Sequence, residues 1–449
     1  MNKKIILLFL AASFILSLAF VIFFQFDLIG DEPQYYTLGY NLAKHATFSL
    51  STDGALSKTT LREPLYPSYV AIVFLLTNYS VLAVKICQIL FILLAALIGS
   101  KLAVRLFGEH FRGPVLIGIL FFPTLLNFPQ YLYSECLAVF LFMLFVYCEY
   151  SLLRNKNIRS AALTGIVYAA LILCKVLMLY FIPVLIVMLL LYYREKKIIL
   201  SHLLMLGVCL AVLFPWVLRN YGVTGRYCVS YGREINNIAN RSLKQDLSSK
   251  EIAQEFVFDF SETLGKKIFP EAMNGVKAHS YTLRLVDKYD LEVSGLKASG
   301  MSDKQIGDKI TGDFIGKVAR HPFKYAVLTL PELIKMANFS YLPLLKDIPV
   351  IAFFQRYPWG GSILGALRLL FKLPGYVILY FVLYFFISNL GRMKDYALFL
   401  FLIGFVNIVP SLTYTEARYA LVLIPLYVIF AWAGFRQLVL RRKRLTSNE

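Results

Sequence analysis

The sequence predicts an all-α polytopic membrane protein. Of its 449 residues, 58% are hydrophobic and only 16% are charged, and the mean hydropathy is +0.65, whereas a soluble domain is nearer half apolar and a quarter charged. Apolar stretches of about 20 residues recur along the chain, which is the length of a membrane-spanning helix. These stretches are too long for barrel strands, so helices are the remaining way to satisfy the backbone in lipid.

The first predicted span covers about residues 5–25 and follows the basic start "MNKK". A secretory signal peptide begins in a similar way. However, the apolar run continues to Phe26 without a convincing small-residue cleavage site. We therefore expect a retained span with the N-terminus in the cytoplasm.

Basic clusters set the direction of the other spans, because cytoplasmic loops carry an excess of Lys and Arg. These clusters are Lys3–Lys4, Arg154–Arg159, Arg194–Lys197, Arg392–Lys394 and Arg441–Arg444. The predicted spans are about 5–25, 84–106, 114–132, 134–153, two within 160–193, 199–217, 366–388, 396–413 and 418–437. Ten spans place both termini in the cytoplasm, and twelve is the alternative count.

A polar segment, 219–322, is predicted to form a small helical external domain. It holds 16 basic and 13 acidic residues, and such balance fits a translocated loop, since long loops escape the positive-inside bias. Ser248 with Glu251 and Ser302 with Gln305 have the spacing of capping boxes. The stretch that follows is apolar but interrupted by polar residues, which predicts an outer interfacial or re-entrant helix.

The chain is therefore predicted to contain three parts: a core membrane module over 1–218 with a first external loop at 26–83, the external helical segment 219–322, and a C-terminal part 323–449 with the interfacial helix and the last spans. No internal repeat is evident, which weakens the case for an inverted-repeat transporter.

Several function classes lack their signatures. The formal charge of +19 lies largely in the loop clusters, and no nucleic-acid recognition motif accompanies it. No Walker loop or GxGxxG is present. The five histidines lack metal-ligand spacing, and the six cysteines form neither a disulfide framework nor a CxxC pair. We expect no nucleic-acid partner, and no cofactor is certain.

The polar residues that stand out all flank the outer ends of predicted spans, so they are expected to converge on one outer cavity. They are Asp31, Glu32 and Tyr35 after the first span, Arg62, Glu63 and Tyr66 in the same loop, Tyr133 and Glu135, Lys175, Arg219 and Asn220, and Glu416, Arg418 and Tyr419 between the last two spans.

Each of these residues also has an ordinary structural explanation. Asp31 and Glu32 fit a helix start, where acids are favoured by the helix dipole. Arg62 and Glu63 fit a surface ion pair of little energetic value. Lys175 fits a snorkelling side chain, and the tyrosines fit an aromatic belt. Their joint occurrence on one face is what favours a functional site.

The chemistry that these residue types suggest is group transfer from an anionic lipid donor. A carboxylate can accept the proton of an incoming hydroxyl. Guanidinium and ammonium groups can hold a phosphate whose charge grows as it leaves. A cavity beside the outer leaflet needs no loop for a soluble nucleotide.

Five segments resemble a known family in the same order along the chain. "GDEPQYYTLGYNLAKHATFS" followed by "LREPLYPSY" resembles the first external loop of the GT-C glycosyltransferases, in the branch with lipid A aminoarabinose transferase and protein O-mannosyltransferases. "LILCKV", "PWVLRNYGVTGRYCVSYG" and "EARYALVLIPLYVIFAWAG" resemble that group's basic element, its "PW…RNY…G" stretch and its closing helix. The resemblance covers most of 1–235 and 395–437.

The resemblance implies a GT-C fold and an inverting transferase that uses a polyprenyl-phosphate sugar, such as one on undecaprenyl phosphate. The family's Glu-Lys pair appears here in reversed order, as Arg62-Glu63. A divalent cation is left open, and the metal ligands are unassigned. The implied roles are catalytic for Asp31 (the base), Glu32 and Glu63; donor-phosphate binding for Arg62, Lys175, Arg219 and Arg418; and substrate binding for Tyr35, Tyr66, Tyr133, Glu135, Asn220, Glu416 and Tyr419.

The expected protein is a monomer in the bacterial inner membrane, surrounded by lipid, with its active site on the periplasmic face. The acceptor stays open among lipid A or lipopolysaccharide, another cell-envelope glycan and protein, and the sugar stays open as well. Two alternatives remain: an O-antigen polymerase or ligase of another fold, and a transporter or flippase of lipid-linked sugars.

Overall fold

The structure, a computed structural model, describes residues 2–23, 28–260, 262–270, 291–337, 360–413 and 415–446. Most of this part of the chain is helical, and its extended segments pair in an isolated bridge between Ser49 and Lys58. The all-α prediction is therefore confirmed. The chain divides into two compact units: the first contains residues 1–231, 377–405 and 421–449, and the second contains residues 232–376 and 406–420.

The first unit begins with ten helices in chain order. They are α1 Lys3–Phe23, α2 Glu32–His45, α3 Leu65–Thr77, α4 Val81–Phe107, α5 Arg112–Leu120, α6 Pro123–Asn127, α7 Glu135–Asn155, α8 Ile158–Cys174, α9 Phe181–Tyr192 and α10 Lys196–Thr224.

Local sequence determines where the long helices begin and end. Ser80 caps α4, because its hydroxyl accepts a hydrogen bond from the Ala83 N–H at 3.2 Å. Asn157 caps α8 in the same way, through the Ser160 N–H at 2.8 Å. Helix α10 ends at Gly225, whose φ of 68° is a left-handed conformation that glycine adopts without a Cβ clash.

The core of the first unit lies where α4, α7, α8 and α10 pack against one another. Helix α7 is the most enclosed of the long apolar helices of the described chain, because 78% of the residues in its apolar stretch are buried. Gly165 lets α8 approach α10 closely, because a Cβ there would lie 2.5 Å from the carbonyl oxygen of Met205. The helices that carry the predicted site are thus held in one packed bundle.

The polytopic character of the chain is confirmed. Within the described ranges, six helices are long and apolar enough to cross a membrane: Lys3–Phe23, Val81–Phe107, Glu135–Asn155, Lys196–Thr224, Leu390–Leu412 and Arg418–Arg442. A pair bent by 52°, Glu109–Leu120 with Pro123–Gln130, is a seventh candidate, and shorter apolar helices include Ile158–Cys174, Val176–Tyr192 and Leu373–Ser388. The count of ten or twelve spans stays a prediction.

The predicted first external loop contains two short helices, α2 and α3. Helix α2 begins directly after Asp31, and α3 begins directly after Pro64. The two helices pack closely because Gly39 faces Val70: a Cβ at position 39 would lie 2.4 Å from Val70 Cγ1. This packing brings the start of α2 near Arg62, which precedes α3.

The second unit contains helices from the predicted external segment and beyond. They are α11 Arg233–Lys244, α12 Ser249–Phe260, α13 Glu262–Ile268, a helical stretch at 291–298, α14 Asp303–Arg320 and α15 Pro322–Ala337. Both predicted capping boxes form, at Ser302 with Gln305 and at Ser248 with Glu251. Three further helices complete the described chain: α16 Gly360–Ser388, α17 Met393–Leu412 and α18 Ile424–Thr446.

A buried polar network joins α11, α12 and α15. Lys244 pairs with both Glu255 and Glu332, and the fully buried Arg241 donates to the Leu328 carbonyl at 2.8 Å. Burial alone would raise the pKa of Glu332, but Lys244 and the other nearby cations lower it below its usual value. Glu332, which interrupts the apolar pattern of α15, is thus an internal partner of α11; the interfacial placement of α15 stays a prediction.

Replacing Gly39 with Ala should destabilise the first unit. The added methyl group must push Val70 aside, and such overpacking costs about 1–3 kcal/mol, more than the helix propensity that alanine gains. Gly207 of α10 is the control, because a Cβ there meets open space. Thermal unfolding of purified protein in detergent should show a lower Tm for Gly39→Ala and an equal or higher Tm for Gly207→Ala. Equal Tm values for the two variants would contradict the close packing of α2 on α3.

Candidate active site at one end of the helix bundle

An ion pair between Asp31 and Arg62 is at the centre of the predicted site. Arg62 Nη2 lies 2.5 Å from Asp31 Oδ1, and Nη1 donates to Oδ2 at 3.3 Å, so the pair is bidentate. Arg62 Nε donates to Gln34 Oε1 at 2.8 Å. The Arg62 side chain is 3% exposed and that of Asp31 is 20% exposed. A buried guanidinium therefore fixes a partly accessible carboxylate.

The backbone around Asp31 also favours a negative charge there. Asp31 is the residue before α2, and its carbonyl accepts the Tyr35 N–H at 3.2 Å. A carboxylate at this position is stabilised by the positive end of the helix dipole. Gly30 has φ +58°, and a Cβ there would lie 2.6 Å from the Tyr133 hydroxyl oxygen. Glycine is therefore required for the turn that leads into Asp31.

Glu32 connects this turn to the segment before α7 through hydrogen bonds. Its Oε1 accepts the Leu132 N–H at 2.6 Å and its Oε2 accepts the Ile29 N–H at 2.9 Å, and the side chain is buried. Burial raises the pKa of Glu32, although these two hydrogen bonds and the charge of Lys85 oppose the rise. Because both oxygens accept backbone N–H groups, the geometry supports a positioning role. The catalytic role of Glu32 stays a prediction.

A second ionic group connects the first external loop to α7 and to the segment that follows the end of α8. Lys175, the first residue after α8, has extended backbone, and its Nζ lies 3.0 Å from Oε1 of the buried Glu135. Glu63 Oε1 accepts the Val176 N–H at 3.2 Å. Sequence neighbours thus have different partners, since Arg62 pairs with Asp31 while Glu63 reaches the backbone beyond Lys175.

The three candidate tyrosines of the first unit are buried around these ion pairs. Tyr66 donates to Gln88 Oε1 at 2.8 Å, and the Tyr35 hydroxyl lies 3.3 Å from Ser134 Oγ. The Arg62 guanidinium carbon lies 5.0 Å from the centre of the Tyr35 ring. Tyr133 donates to a loop carbonyl at 3.2 Å. These contacts support the loop, and direct substrate binding by the tyrosines stays a prediction.

Arg219 holds the first external loop from the last turns of α10. It donates to the Thr59 carbonyl at 2.6 Å and to Asn220 Oδ1 at 2.8 Å, and its guanidinium carbon lies 4.8 Å from a Trp216 ring. The amide of the fully buried Asn220 donates to the Val229 carbonyl at 2.8 Å. Both side chains therefore anchor backbone, and their roles in phosphate and substrate binding stay predictions.

The remaining three candidates belong to the second unit. Arg418 Nε lies 2.5 Å from Glu416 Oε2, and the guanidinium carbon lies 6.0 Å from the centre of the Tyr419 ring. They form a local group near the end of the chain, and their predicted convergence with the residues of the first unit stays a prediction.

Lys85 is a cation beside the site that sequence reasoning did not select. It is the fifth residue of α4 and is 9% exposed, and its charge acts on Glu32. Within the described residues, Lys85 forms no hydrogen bond or ion pair. In sequence it resembles an ordinary lysine at the end of a span, where the long side chain reaches toward water.

A second pair that the sequence did not reveal joins α7 to α10. His202 Nε2 lies 2.8 Å from Glu149 Oε1, and His202 Nδ1 donates to the Ile198 carbonyl at 2.7 Å. Both side chains are fully enclosed. The pair lies about two turns before the end of α7 and about two turns after the start of α10. These two helix ends are at the side of the bundle opposite to Asp31.

The divalent cation that the resemblance leaves open has no evident ligand set. Across the part of the chain that the structure describes, no three His, Cys, Asp or Glu side chains are grouped as a metal site. Both carboxylate oxygens of Asp31 contact Arg62. The described residues around Asp31 therefore form no group of metal ligands.

The arrangement can accept a proton and hold an anion. Asp31 is an oriented carboxylate with an accessible edge, which is what a general base needs. Lys85 and Lys175 bring two ammonium groups to the same end of the bundle, where α4 begins and α8 ends. Such groups bind phosphate through charge-assisted hydrogen bonds.

Comparison with known proteins connects this architecture to a fold. No protein-family model and no curated protein matches the chain. Among solved structures, the archaeal oligosaccharyltransferase AglB from Archaeoglobus fulgidus, in complex with an inhibitory peptide and a dolichol-phosphate, has a TM-score of 0.53 at 12% identity over 99% of this chain and 52% of that one. A second structure of the Archaeoglobus fulgidus oligosaccharyltransferase, tethered with an acceptor peptide, gives 0.51 at 10% identity over 99% and 51%.

The archaeal enzyme is a GT-C glycosyltransferase, so the predicted GT-C fold is confirmed. The chain spans about half the length of the archaeal protein. ArnT from Cupriavidus metallidurans in the apo state is also similar, with a TM-score of 0.43 at 13% identity over 96% of this chain and 77% of that one.

Lys175→Met should destabilise the protein, because it takes the ammonium group away from the buried Glu135 carboxylate. Loss of such a contact costs about 1–3 kcal/mol. The double variant Lys175→Met/Glu135→Gln should recover most of the loss in thermal unfolding, since a neutral amide is cheaper to bury than a carboxylate. Glu195→Gln, which breaks the exposed Lys156–Glu195 pair, should change stability by less than about 1 kcal/mol. A double variant no more stable than Lys175→Met would rule out the buried pair as the cause.

Proposed function

We propose that the chain is an integral membrane glycosyltransferase that moves a sugar from a polyprenyl-phosphate donor to an acceptor hydroxyl on the outer side of the bacterial inner membrane. The polytopic GT-C architecture supports this class. The archaeal oligosaccharyltransferase of the same fold holds a dolichol-phosphate in its structure, and a lipid phosphate is the corresponding ligand proposed here.

The observation that carries the proposal is the unequal exposure of four carboxylates at one end of the bundle. Glu32, Glu63 and Glu135 are each at least nine-tenths buried, and each accepts a hydrogen bond from backbone or lysine. Asp31 is 20% exposed and is oriented by a buried guanidinium. Asp31 is therefore the carboxylate that an incoming hydroxyl can meet.

The proposed step is a single displacement at the anomeric carbon. The acceptor oxygen attacks this carbon from the face opposite the phosphate, and the new glycosidic bond forms as the bond to the phosphate oxygen breaks. Asp31 takes the acceptor's proton, and the bonding electron pair leaves with the polyprenyl monophosphate. Arg62 keeps the Asp31 carboxylate oriented before the proton arrives.

The departing phosphate needs cations, because its negative charge grows in the transition state. Lys85 is the cation best suited to this task, since it is buried beside Glu32 and forms no ion pair within the described chain. Lys175 is 23% exposed and already pairs with Glu135. Its ammonium group therefore has to contact both Glu135 and the phosphate in order to contribute. Arg219 completes the first unit's set of cations carried over from the resemblance, and phosphate binding by Arg418 stays a separate prediction.

The proposed acceptors are envelope glycans, lipid A or lipopolysaccharide, and proteins. The transferred sugar is a hexose or a pentose. Membrane lipids surround the bundle and deliver the donor, whose isoprenoid chain stays in the hydrocarbon region.

The alternative function is transport of lipid-linked sugars, and the buried Glu149–His202 pair is the observation that favours it. Charges inside a membrane bundle often mark a transport path. This pair, however, uses its His202 Nδ1 to bond backbone and its Glu149 to bridge α7 and α10. The accessible charged groups of the first unit's site lie at the other end. Transfer therefore accounts for more of the charged residues than transport does.

Asp31→Asn should abolish most of the transfer activity in a protein that still inserts but has a lower Tm, because the buried Arg62 loses its counter-charge. Asparagine keeps an oxygen acceptor for Arg62 but cannot take the acceptor's proton, so the transfer rate should fall by roughly 10²–10⁴-fold. Transfer is measured with purified protein and a polyprenyl-phosphate sugar. Asp53→Asn, an exposed acid in the same loop, is the matched control and should leave the rate unchanged. A near-wild-type rate for Asp31→Asn would remove Asp31 as the base.

A further inference from the structure

The second unit contains a basic pocket that the transfer step does not use. It lies where the end of α11, the end of α14 and the start of α15 meet. Its lining consists of Gln245, Asp246, Lys317, Arg320, His321 and Lys324.

The charge of this pocket is mainly positive. Lys317 Nζ pairs with Asp246 Oδ2 at 2.8 Å. Arg320 and Lys324 have no carboxylate partner among the described residues; Arg320 Nε donates to the Gly316 carbonyl at 3.1 Å, within its own helix. Three cations and one carboxylate give a net charge of +2 when His321 is neutral. An anion is the ligand that such a surface attracts.

Gln245 gives the pocket a second and independent sign of a ligand. The side chain is 4% exposed, and neither its Oε1 nor its Nε2 has a hydrogen-bond partner among the described residues. Buried amide groups in native proteins are nearly always hydrogen-bonded, so an unpaired one calls for an explanation. The amide can accept and donate at the same time, which matches a hydroxyl group.

The backbone at the pocket adds donors for a negative group. Helix α15 is 16 residues long and begins at Pro322, between His321 and Lys324 of the lining. The first N–H groups of a helix have no carbonyl partner within it, and they favour an anion.

We propose that this pocket binds an acidic sugar unit, with Arg320 and Lys324 contacting its carboxylate or phosphate and Gln245 contacting a hydroxyl. A simple inorganic anion would leave the Gln245 amide without a use, and a neutral sugar would leave the cations without one. The binding site itself stands on the second unit alone. Its assignment to the acceptor of the transfer reaction rests on the proposed function.

Isothermal titration calorimetry on the purified full-length protein tests the site with four small probes. Glucose 6-phosphate and glucuronic acid should bind, and glucose should not. Inorganic phosphate should bind about fivefold or more weakly than glucose 6-phosphate, because it has no sugar hydroxyl that can pair with Gln245 while Arg320 and Lys324 hold the charged oxygens. Equal affinities for inorganic phosphate and glucose 6-phosphate would overturn the sugar assignment.

Two variants separate the two halves of the pocket. Arg320→Gln/Lys324→Gln should weaken glucose 6-phosphate and inorganic phosphate alike, by about tenfold or more. Gln245→Leu should remove the preference for the sugar phosphate while it leaves phosphate affinity nearly unchanged. Its Tm should not fall, because the replaced amide has no hydrogen-bond partner to lose in the part of the chain that the structure describes.

Lys250→Gln/Lys309→Gln is the matched control, since it removes the same charge from the second unit outside the pocket lining. It should leave every affinity unchanged. Unchanged binding in Arg320→Gln/Lys324→Gln, or an equal loss in the control, would overturn the proposal. Binding and transfer fail separately: Asp31→Asn should lose transfer and keep sugar-phosphate binding, so a loss of catalysis alone leaves the pocket standing.

Discussion

The bidentate contact between Arg62 and Asp31 is the constraint on which the rest of the site depends. A guanidinium that is only 3% exposed needs a carboxylate partner, because an uncompensated buried charge is strongly destabilising. This requirement ties the start of α2 to the segment before α3. Gly39 makes the approach of those helices sterically feasible, and Gly30 permits the turn that delivers Asp31.

At this end of the bundle, chemically similar residues differ in their partners and in their exposure. Glu32 accepts two backbone N–H groups and Glu63 accepts one, so both tie loops together. Among the four described acids at this end of the first unit, Asp31 is the one that combines a fixed orientation with an accessible edge. Among the cations, Lys175 already neutralises Glu135, whereas Lys85 is buried without a partner in the described chain. Burial and pairing, more than residue type, distinguish the residues that hold the loops in place from those available for the reaction.

Sequence reasoning could predict the architecture and the location of the first unit's candidates, because both depend on one-dimensional patterns. Apolar runs and basic clusters order the helices, and Asp31, Glu135 and Lys175 flank runs that end on the same side. The choice of partners lies beyond such patterns. Arg62 pairs with a residue 31 positions away rather than with the adjacent Glu63, and this depends on how α2 packs on α3.

Other features were hidden because each residue looks ordinary in its own segment. Lys85 resembles any lysine in the first turns of a span, and its importance arises from the nearby Glu32 of another helix. Glu149 and His202 lie 53 positions apart on helices that meet only in the folded bundle. Gln245 is one amide in a polar segment, and the sequence cannot indicate that its side chain is buried without a hydrogen-bond partner in the described ranges.

The central claim is that this end of the bundle holds the phosphate of a polyprenyl lipid next to Asp31. The most direct measurement is the affinity of the purified protein for undecaprenyl phosphate, compared between wild type, Lys85→Gln and Lys101→Gln. Lys101 is an exposed lysine near the opposite end of α4, so its replacement removes the same charge from the same helix. The account predicts that Lys85→Gln weakens binding about tenfold or more, as expected for a lost charge-assisted hydrogen bond, while Lys101→Gln does not. Equal affinities for all three proteins would contradict it.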